Sequence, residues 1–430
     1  MTPPDPAAPA VQVRDAVRPP SVRGMVLRIS LVLGLAELGF ATVIPLLPLH
    51  LTERLGASVK LVGLVVATFA LVETLAKTAW GSIADRVGRR PLIIIGLLLA
   101  SIAPMVMSFL RIPALFVPLR LIDGSGSSAL WPASAAAIAD TSPVGQRATA
   151  MGTLNSFFLA GLALGPSAGL LVVGFTGSYK IGFYLASAIL VSAAILAAVL
   201  LRGIDDVRHR PLPADTLVGY HVVGPDPHLS DVVKGARISP TLLAMLVVAF
   251  VQMFGVGVLA PILVIYAKRV IGLPEELIGT LFLVTVLAVA AASVPAGRIA
   301  DRWGKVPAVV VGMVAATAGM WLLPLTSRLG LLGVAALLVG AGYALSSPAW
   351  HALVSELAPR GRVGLAMGAA QTAEGIGLVL GPLLGGVLWD EVSERAPFVA
   401  TAIVLTVGTA ILLVAIRRVA REVGALPRSH

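Results

Sequence analysis

Twelve long apolar runs, separated by short polar punctuation, leave this 430-residue chain almost no choice of solvent. Val26–Leu49, Leu92–Leu110 and Val399–Ile416 are examples. A stretch of about twenty apolar residues is the length needed to cross a bilayer as a helix. The whole chain is 57% hydrophobic and 13% charged, against about 45–50% and about 25% in ordinary soluble proteins. Twelve spans are expected at about 25–49, 61–84, 91–110, 114–139, 148–173, 180–201, 240–266, 277–299, 306–326, 330–357, 363–389 and 397–417. The fold expected is an all-α membrane protein of twelve transmembrane helices in two pseudo-symmetric six-helix bundles.

A formal charge of +10 raises nucleic-acid binding as a rival reading, so the position of the basic residues matters. With the N-terminus in the cytoplasm, 22 of the 32 Lys and Arg residues fall in cytoplasmic segments or span ends, and 8 fall on the opposite side. Positive-inside asymmetry of this kind sets membrane topology. Both termini are therefore expected in the cytoplasm, in the inner (cytoplasmic) membrane, with the lipid bilayer and not nucleic acid as the partner. Residues 1–24 are rich in Pro, Ala and Arg, which reads as a disordered tail and not a cleavable signal. With no cysteine, disulfides and thiolate metal sites are excluded.

The longest internal polar stretch, 202–239, separates a half at 25–201 from a half at 240–417, and 418–430 form a second tail. Sliding the chain by 216 residues aligns the halves without a gap. Gly39 falls on Gly255, Gly63 on Gly279, and Gly81, Asp85, Arg86 and Gly88 fall on Gly297, Asp301, Arg302 and Gly304. Gly126, Gly165, Pro166 and Gly169 fall on Gly342, Gly381, Pro382 and Gly385. Most shared positions are Gly or Pro, which govern backbone geometry and close helix approach. A parallel repeat puts the substrate site between the halves near mid-membrane, with access alternating as the halves rock.

The segment Gly81-Ser-Ile-Ala-Asp85-Arg86-Val-Gly88-Arg89-Arg90 resembles the signature loop between helices 2 and 3 of the major facilitator superfamily, and Gly297–Lys305 is its weaker copy. Arg120-Leu-Ile-Asp123-Gly124-Ser-Gly126 resembles the helix-4 motif, and Gly161-Leu-Ala-Leu-Gly165-Pro166-Ser-Ala-Gly169 the helix-5 antiporter motif. Leu38-Gly39, five residues, then Pro45-Leu-Leu-Pro48 resembles the helix-1 motif of twelve-span drug–proton antiporters. The resemblance implies the major facilitator fold and proton-coupled export. Asp85 is expected to cap the start of span 11 near Gly364 and latch the cytoplasmic side. Arg86, Arg89 and Arg90 are expected to find Asp140 and Glu356 as partners. Together with Gly81, Gly88, Gly165, Pro166, Asp301, Arg302, Gly381 and Pro382, these residues are read as gating and packing devices.

If repeated residues build the fold, unrepeated polar residues inside spans are the better candidates for function. A lone charge at the bilayer centre costs about 2.5–3.5 kcal/mol to insert. Glu37 faces Met253 across the repeat, Glu73 and Lys77 face Val289 and Ser293, Arg120 and Asp123 face Ala336 and Val339, and Glu374 faces Phe158. Glu73–Lys77 and Arg120–Asp123 have spacings that allow pairing on one helix face, so each is either an ion pair pinning helices or part of the transport path. Glu37 and Glu374 have no such partner. For proton coupling the order is Glu37, then Glu374, then Glu73 and Asp123, because a carboxylate in a cavity can hold either a proton or a cation. Candidates for the substrate-facing wall are Phe40, Lys77, Arg120, Asn155, Phe158, Gln252, Phe254, Tyr343, Trp350, His351 and Gln371.

The function expected is a secondary active transporter exporting small hydrophobic or cationic molecules in exchange for protons, with sodium coupling as the rival ion. The alternative is proton-coupled transport of a specific metabolite, siderophore or lipid in the same fold. The chain carries no P-loop, H-E-x-x-H or credible G-x-S-x-G setting, so an enzyme is not expected. An ion gradient is the expected energy source, with no cofactor and no metal. Nothing in the chain requires an oligomer, and a monomer is expected to suffice.

Overall fold

The computed structural model describes residues 22–143, 146–204, 240–285, 287, 302, 304–326, 328–357 and 363–424. Span 1 is the helix Val22–Leu49, span 2 Val59–Val87 and span 3 Arg89–Met107. Span 4 comes in two pieces, Phe116–Ser128 and Leu130–Thr141. Pro132 has no N–H to offer the Ser128 carbonyl, so the hydrogen-bond ladder breaks there. Span 5 is Arg147–Thr176, span 6 Tyr179–Leu200 and span 7 Pro240–Arg269. Span 8 is described over 275–285 and at 287. Spans 9 to 12 are Lys305–Leu325, Leu329–Leu357, Val363–Glu391 and Ala396–Gly424.

Ten helices among the described residues are long and apolar enough to cross a bilayer. The two expected spans outside that ten are span 4, split into short pieces, and span 8, of which only the beginning is described. The protein is a multi-pass membrane protein. Helix boundaries overrun the expected spans at both ends. Span 1 begins at Val22 and span 12 runs on to Gly424. Most residues of the leading tail, the linker and the trailing tail lie outside the described residues, as do Gly297 and Asp301.

Within each half the packing repeats with the sequence. Span 1 packs chiefly on span 5, and span 7 packs likewise on span 11. A Cβ on Gly161 would lie 2.2 Å from the Gly34 carbonyl, and one on Gly377 would lie 2.6 Å from the Phe250 carbonyl. Those targets are themselves 216 residues apart, so the same helix crossing is built twice. Spans 3 and 4 cross at Gly96–Gly126, and spans 9 and 10 cross at the equivalent Gly312–Gly342. Each of these crossings brings backbone against backbone, which only small residues permit.

The halves meet along span 2 against span 11 and span 1 against span 7. A Cβ on Gly63 would come within 2.2 Å of the Pro382 carbonyl, and one on Gly386 within 2.6 Å of the Val59 carbonyl. The Gly–Pro positions singled out in spans 5 and 11 therefore lie at helix contacts, and Pro382 lies at the seam between the halves. Gly88 and Gly304 start spans 3 and 9 with φ of 106° and 93°. An L-residue with a side chain is strained there, which accounts for glycine at both copies of the loop.

Candidate functional site

Four of the six unrepeated charges gather across the seam, with His351 and Tyr343 beside them. Glu73 lies one turn before Lys77 on span 2, and the ammonium sits 3.0 Å from the carboxylate. The charges of both act on Glu37 in span 1. Lys77 also acts on Glu374, which approaches from span 11 in the other half. The Glu374 carboxylate lies 3.7 Å from His351 Nε2 on span 10, and Tyr343, two turns earlier on span 10, also senses it. One lysine of the N-terminal half is thus shared electrostatically by carboxylates of both halves. Three carboxylates stand around one lysine, so the cluster is net negative when all three are ionised.

The helices explain why the groups converge. Glu37 leaves span 1 beside Gly161, where spans 1 and 5 are in tight contact. On span 11, Gly375, next to Glu374, meets Thr74 of span 2. Close helix approach on both sides carries the flanking carboxylates towards the same seam.

Other expected site residues lie elsewhere. Arg120 and Asp123 do pair, and both are buried between spans 2 and 4, with the guanidinium 4.5 Å above the Phe69 ring. Trp350 is only 1% exposed and donates its indole N–H to the Met245 carbonyl. Phe254 is buried against Phe250. Gln252 donates to Ser346 Oγ at 3.3 Å, inside the C-terminal half. In this conformation Trp350 and Phe254 belong to the core, because the bundle interior satisfies their packing and polar needs without a ligand. Phe158 is half-buried against Trp131, Phe40 packs at the edge of the same cluster, and Asn155 and Gln371 are exposed.

On the face where span 1 begins and span 12 ends, Arg89 pairs with Asp140 at 3.3 Å, as expected of that arginine. Glu356 departs from expectation: it pairs with Lys305, the repeat equivalent of Arg89, and not with an arginine of the span 2–3 loop. Each pair staples a loop to span 4 or span 10 within one half. Arg90 donates to the Ala198 carbonyl of span 6 at 2.7 Å, and Arg86 and Arg302 are exposed. Span 11 begins at Val363, but the side chain of Asp85, which was expected to cap it, and Asp301 lie outside the described residues.

The opposite face holds a set of contacts that sequence reasoning missed. Arg269 donates to Glu53 at 2.6 Å and to the Thr52 carbonyl at 2.7 Å. Asp390, at the end of span 11, accepts the N–H groups of Val59 (3.3 Å) and Lys60 (2.7 Å) at the start of span 2. Ser58 caps the same helix through Leu61 N–H, so donors left over by the helix start are met partly from the other half. Tyr179 donates to Glu275, which Lys268 also holds at 2.8 Å. Burial works against the Glu275 carboxylate, but those two hydrogen bonds prevail and hold its pKa below the usual carboxylate range. These contacts close the far face. A signal for one of them existed, since Glu53 and Arg269 stand at equivalent positions with opposite charge.

An apolar cavity of about 290 Å3, lined by Leu259, Tyr266, Phe282 and Leu332 among others, opens inside the C-terminal half, apart from the charged cluster.

Two helical bundles repeating one packing scheme, with ionisable groups shared across their seam, define a membrane transporter. The family model for the Major Facilitator Superfamily matches residues 29–251 and 245–429, and the chain belongs to that superfamily. The Multidrug resistance protein 2 of Bacillus subtilis (strain 168) is 24% identical over 382 residues, covering 88% of this chain and 92% of that protein. The Quinolone resistance protein NorA of Staphylococcus aureus is 27% identical over 389 residues, covering 88% and 92%. Among solved structures, a bacterial homologue of the human lysosomal transporter Spinster, in an inward-facing and unoccupied conformation, superposes with a TM-score of 0.72. It shares 18% identity over 93% of this chain and 98% of that one. The human organic anion transporter MFSD10 superposes with a TM-score of 0.63 at 22% identity, over 92% and 100%.

Proposed function

We propose that this protein exports small hydrophobic or cationic compounds by alternating access, driven by protons moving the other way. The observation that carries this reading is the seam cluster, in which Glu37 and Glu374 from opposite halves share the field of Lys77. Glu73 already has Lys77 as a close partner, so Glu37 and Glu374 are the carboxylates left to take a proton or a cationic group in turn. A cluster with more carboxylates than bases favours cations over anions when its acids are ionised. The relatives named for multidrug and quinolone resistance support export of diverse compounds. The face where span 1 begins and span 12 ends is assigned to the cytoplasm from the excess of basic residues there. The far-face contacts then close the outside, and the described state is one shut to the exterior.

The test is ethidium accumulation in an efflux-deficient bacterial host, with and without a protonophore, for wild type, Glu37→Gln and Glu374→Gln. Wild type should lower accumulation, and both the protonophore and Glu37→Gln should abolish that effect. Wild-type expression that leaves accumulation equal to empty vector would sink the proposal of broad cation export.

A further inference from the structure

A second cavity, polar and of about 460 Å3, lies on the far face, well away from the seam cluster. It is formed where three chain segments converge: the end of span 1, the loop between spans 3 and 4, and the link between spans 5 and 6. Its lining includes Arg54, Arg111 and Lys180, and no carboxylate. All three cations reach solvent. Arg54 is steered by a 3.0 Å hydrogen bond to the Gly177 carbonyl and lies over the Tyr179 ring. Neither Arg111 nor Lys180 makes an ion pair among the described residues.

At the cavity's inner wall is His50. It is 6% exposed, its ring is enclosed by Phe116, Tyr179 and Phe183, and neither ring nitrogen has a hydrogen-bond partner. A buried imidazole without a partner loses a hydrogen bond's worth of stability unless something supplies one. The local backbone puts it there. Pro48 cannot donate into the helix ladder, and the helix slips to a π-turn over His50–Arg54, closed by Leu55 N–H on the His50 carbonyl. Such turns recur at functional positions. The third wall is the start of span 6, where Ser178 makes no side-chain cap. Helix starts of this kind present N–H groups that suit an anion.

From three surface cations, an uncapped helix start and a buried unpartnered histidine, we infer that this cavity binds a phosphate oxyanion at the far face of the membrane. Arg111 and Lys180 supply charge, the first turn of span 6 adds its backbone donors, and His50 turns its ring so that a nitrogen now covered by its aromatic neighbours donates from the inside. The phosphate can come from a phospholipid headgroup of the adjoining leaflet or from a soluble phosphate. Both present the same oxygens to the same donors.

Native mass spectrometry of the purified full chain distinguishes them. Wild type, Arg111→Gln/Lys180→Gln and His50→Phe are each titrated with dioleoyl phosphatidylglycerol and, separately, with inorganic phosphate. His50→Phe keeps the ring among its aromatic neighbours and removes both nitrogens, and the double variant changes only exposed side chains. The double variant should bind whichever probe is the ligand about tenfold or more weakly than wild type, and His50→Phe several-fold more weakly. Phosphatidylglycerol binding that responds in this way supports a lipid headgroup site, and an inorganic phosphate response supports a soluble one. Binding by neither probe, or equal binding by all three proteins, overturns the inference.

Discussion

Glu53 and Arg269 occupy the same place in the two halves, and the structure sets them side by side. Residues near an approximate twofold axis meet their own repeat partners, so identical charges there would repel. The chain avoids this by carrying opposite signs. Glu53→Arg should therefore slow ethidium efflux several-fold, as should Arg269→Glu, because each puts like charges on the axis at the closed face. The double exchange should restore most of the rate, and an efflux time course on the three variants checks this. Glu275 makes a second residue-scale prediction. Its depressed pKa means that its contact with Lys268 and Tyr179 contributes above the usual carboxylate range and is lost only as pH falls through the lower folded value. Mild acidification should leave the far face closed, and stronger acid should open it, readable as a longer distance between spin labels placed at Thr176 and Glu276. The pairings Glu73–Lys77 and Arg120–Asp123 were legible from spacing alone, since three or four residues on a helix share a face. That Lys77 would also serve Glu374 was not, because nothing local links residues nearly three hundred positions apart.

The helices meet through glycine, and substitution should separate the positions that need it from those that do not. Gly161→Val and Gly377→Val each place side-chain atoms where a carbonyl already lies, 2.2 and 2.6 Å from the added Cβ. Both should be destabilised by about 1–3 kcal/mol or more, through overpacking at the span 1–5 and 7–11 crossings. Gly152 and Gly368 are also repeat partners, but nothing lies within 4 Å of an added Cβ. Alanine at either should be neutral or slightly stabilising, since it favours the helix. Thermal melting of the detergent-purified variants distinguishes the two classes. The 216-residue offset relates Gly161 to Gly377 and Gly152 to Gly368, but it does not say which pair is crowded. The break in span 4 was less legible: Pro132 sits in a run that reads as one span, and only the lost ladder bond divides it.

For the whole molecule, the far-face contacts imply a cycle in which that face must part. The natural chain has no cysteine, so an introduced pair is the only thiol pair present. An added Cβ at Gly174 lies 2.7 Å from that of Glu276, at the start of span 8 in the other half. That is closer than the about 3.5–4.5 Å of a relaxed disulfide, so the two segments must part slightly before Gly174→Cys/Glu276→Cys oxidises; the bridge should then stop ethidium efflux, which recovers on reduction. Efflux unchanged in the cross-linked protein would mean that this face does not open during transport. The apolar runs, the basic asymmetry and the 216-residue repeat determined the solvent, the number of spans expected and the two-half plan, because each rests on local composition or on copied backbone requirements. Tertiary structure alone decided which charges meet across the seam, that Trp350 and Phe254 are core, and that contacts tie the halves together at the far face. Those facts depend on how two separately coded bundles dock, and docking geometry is written in pairs of distant residues, not in any single stretch of chain.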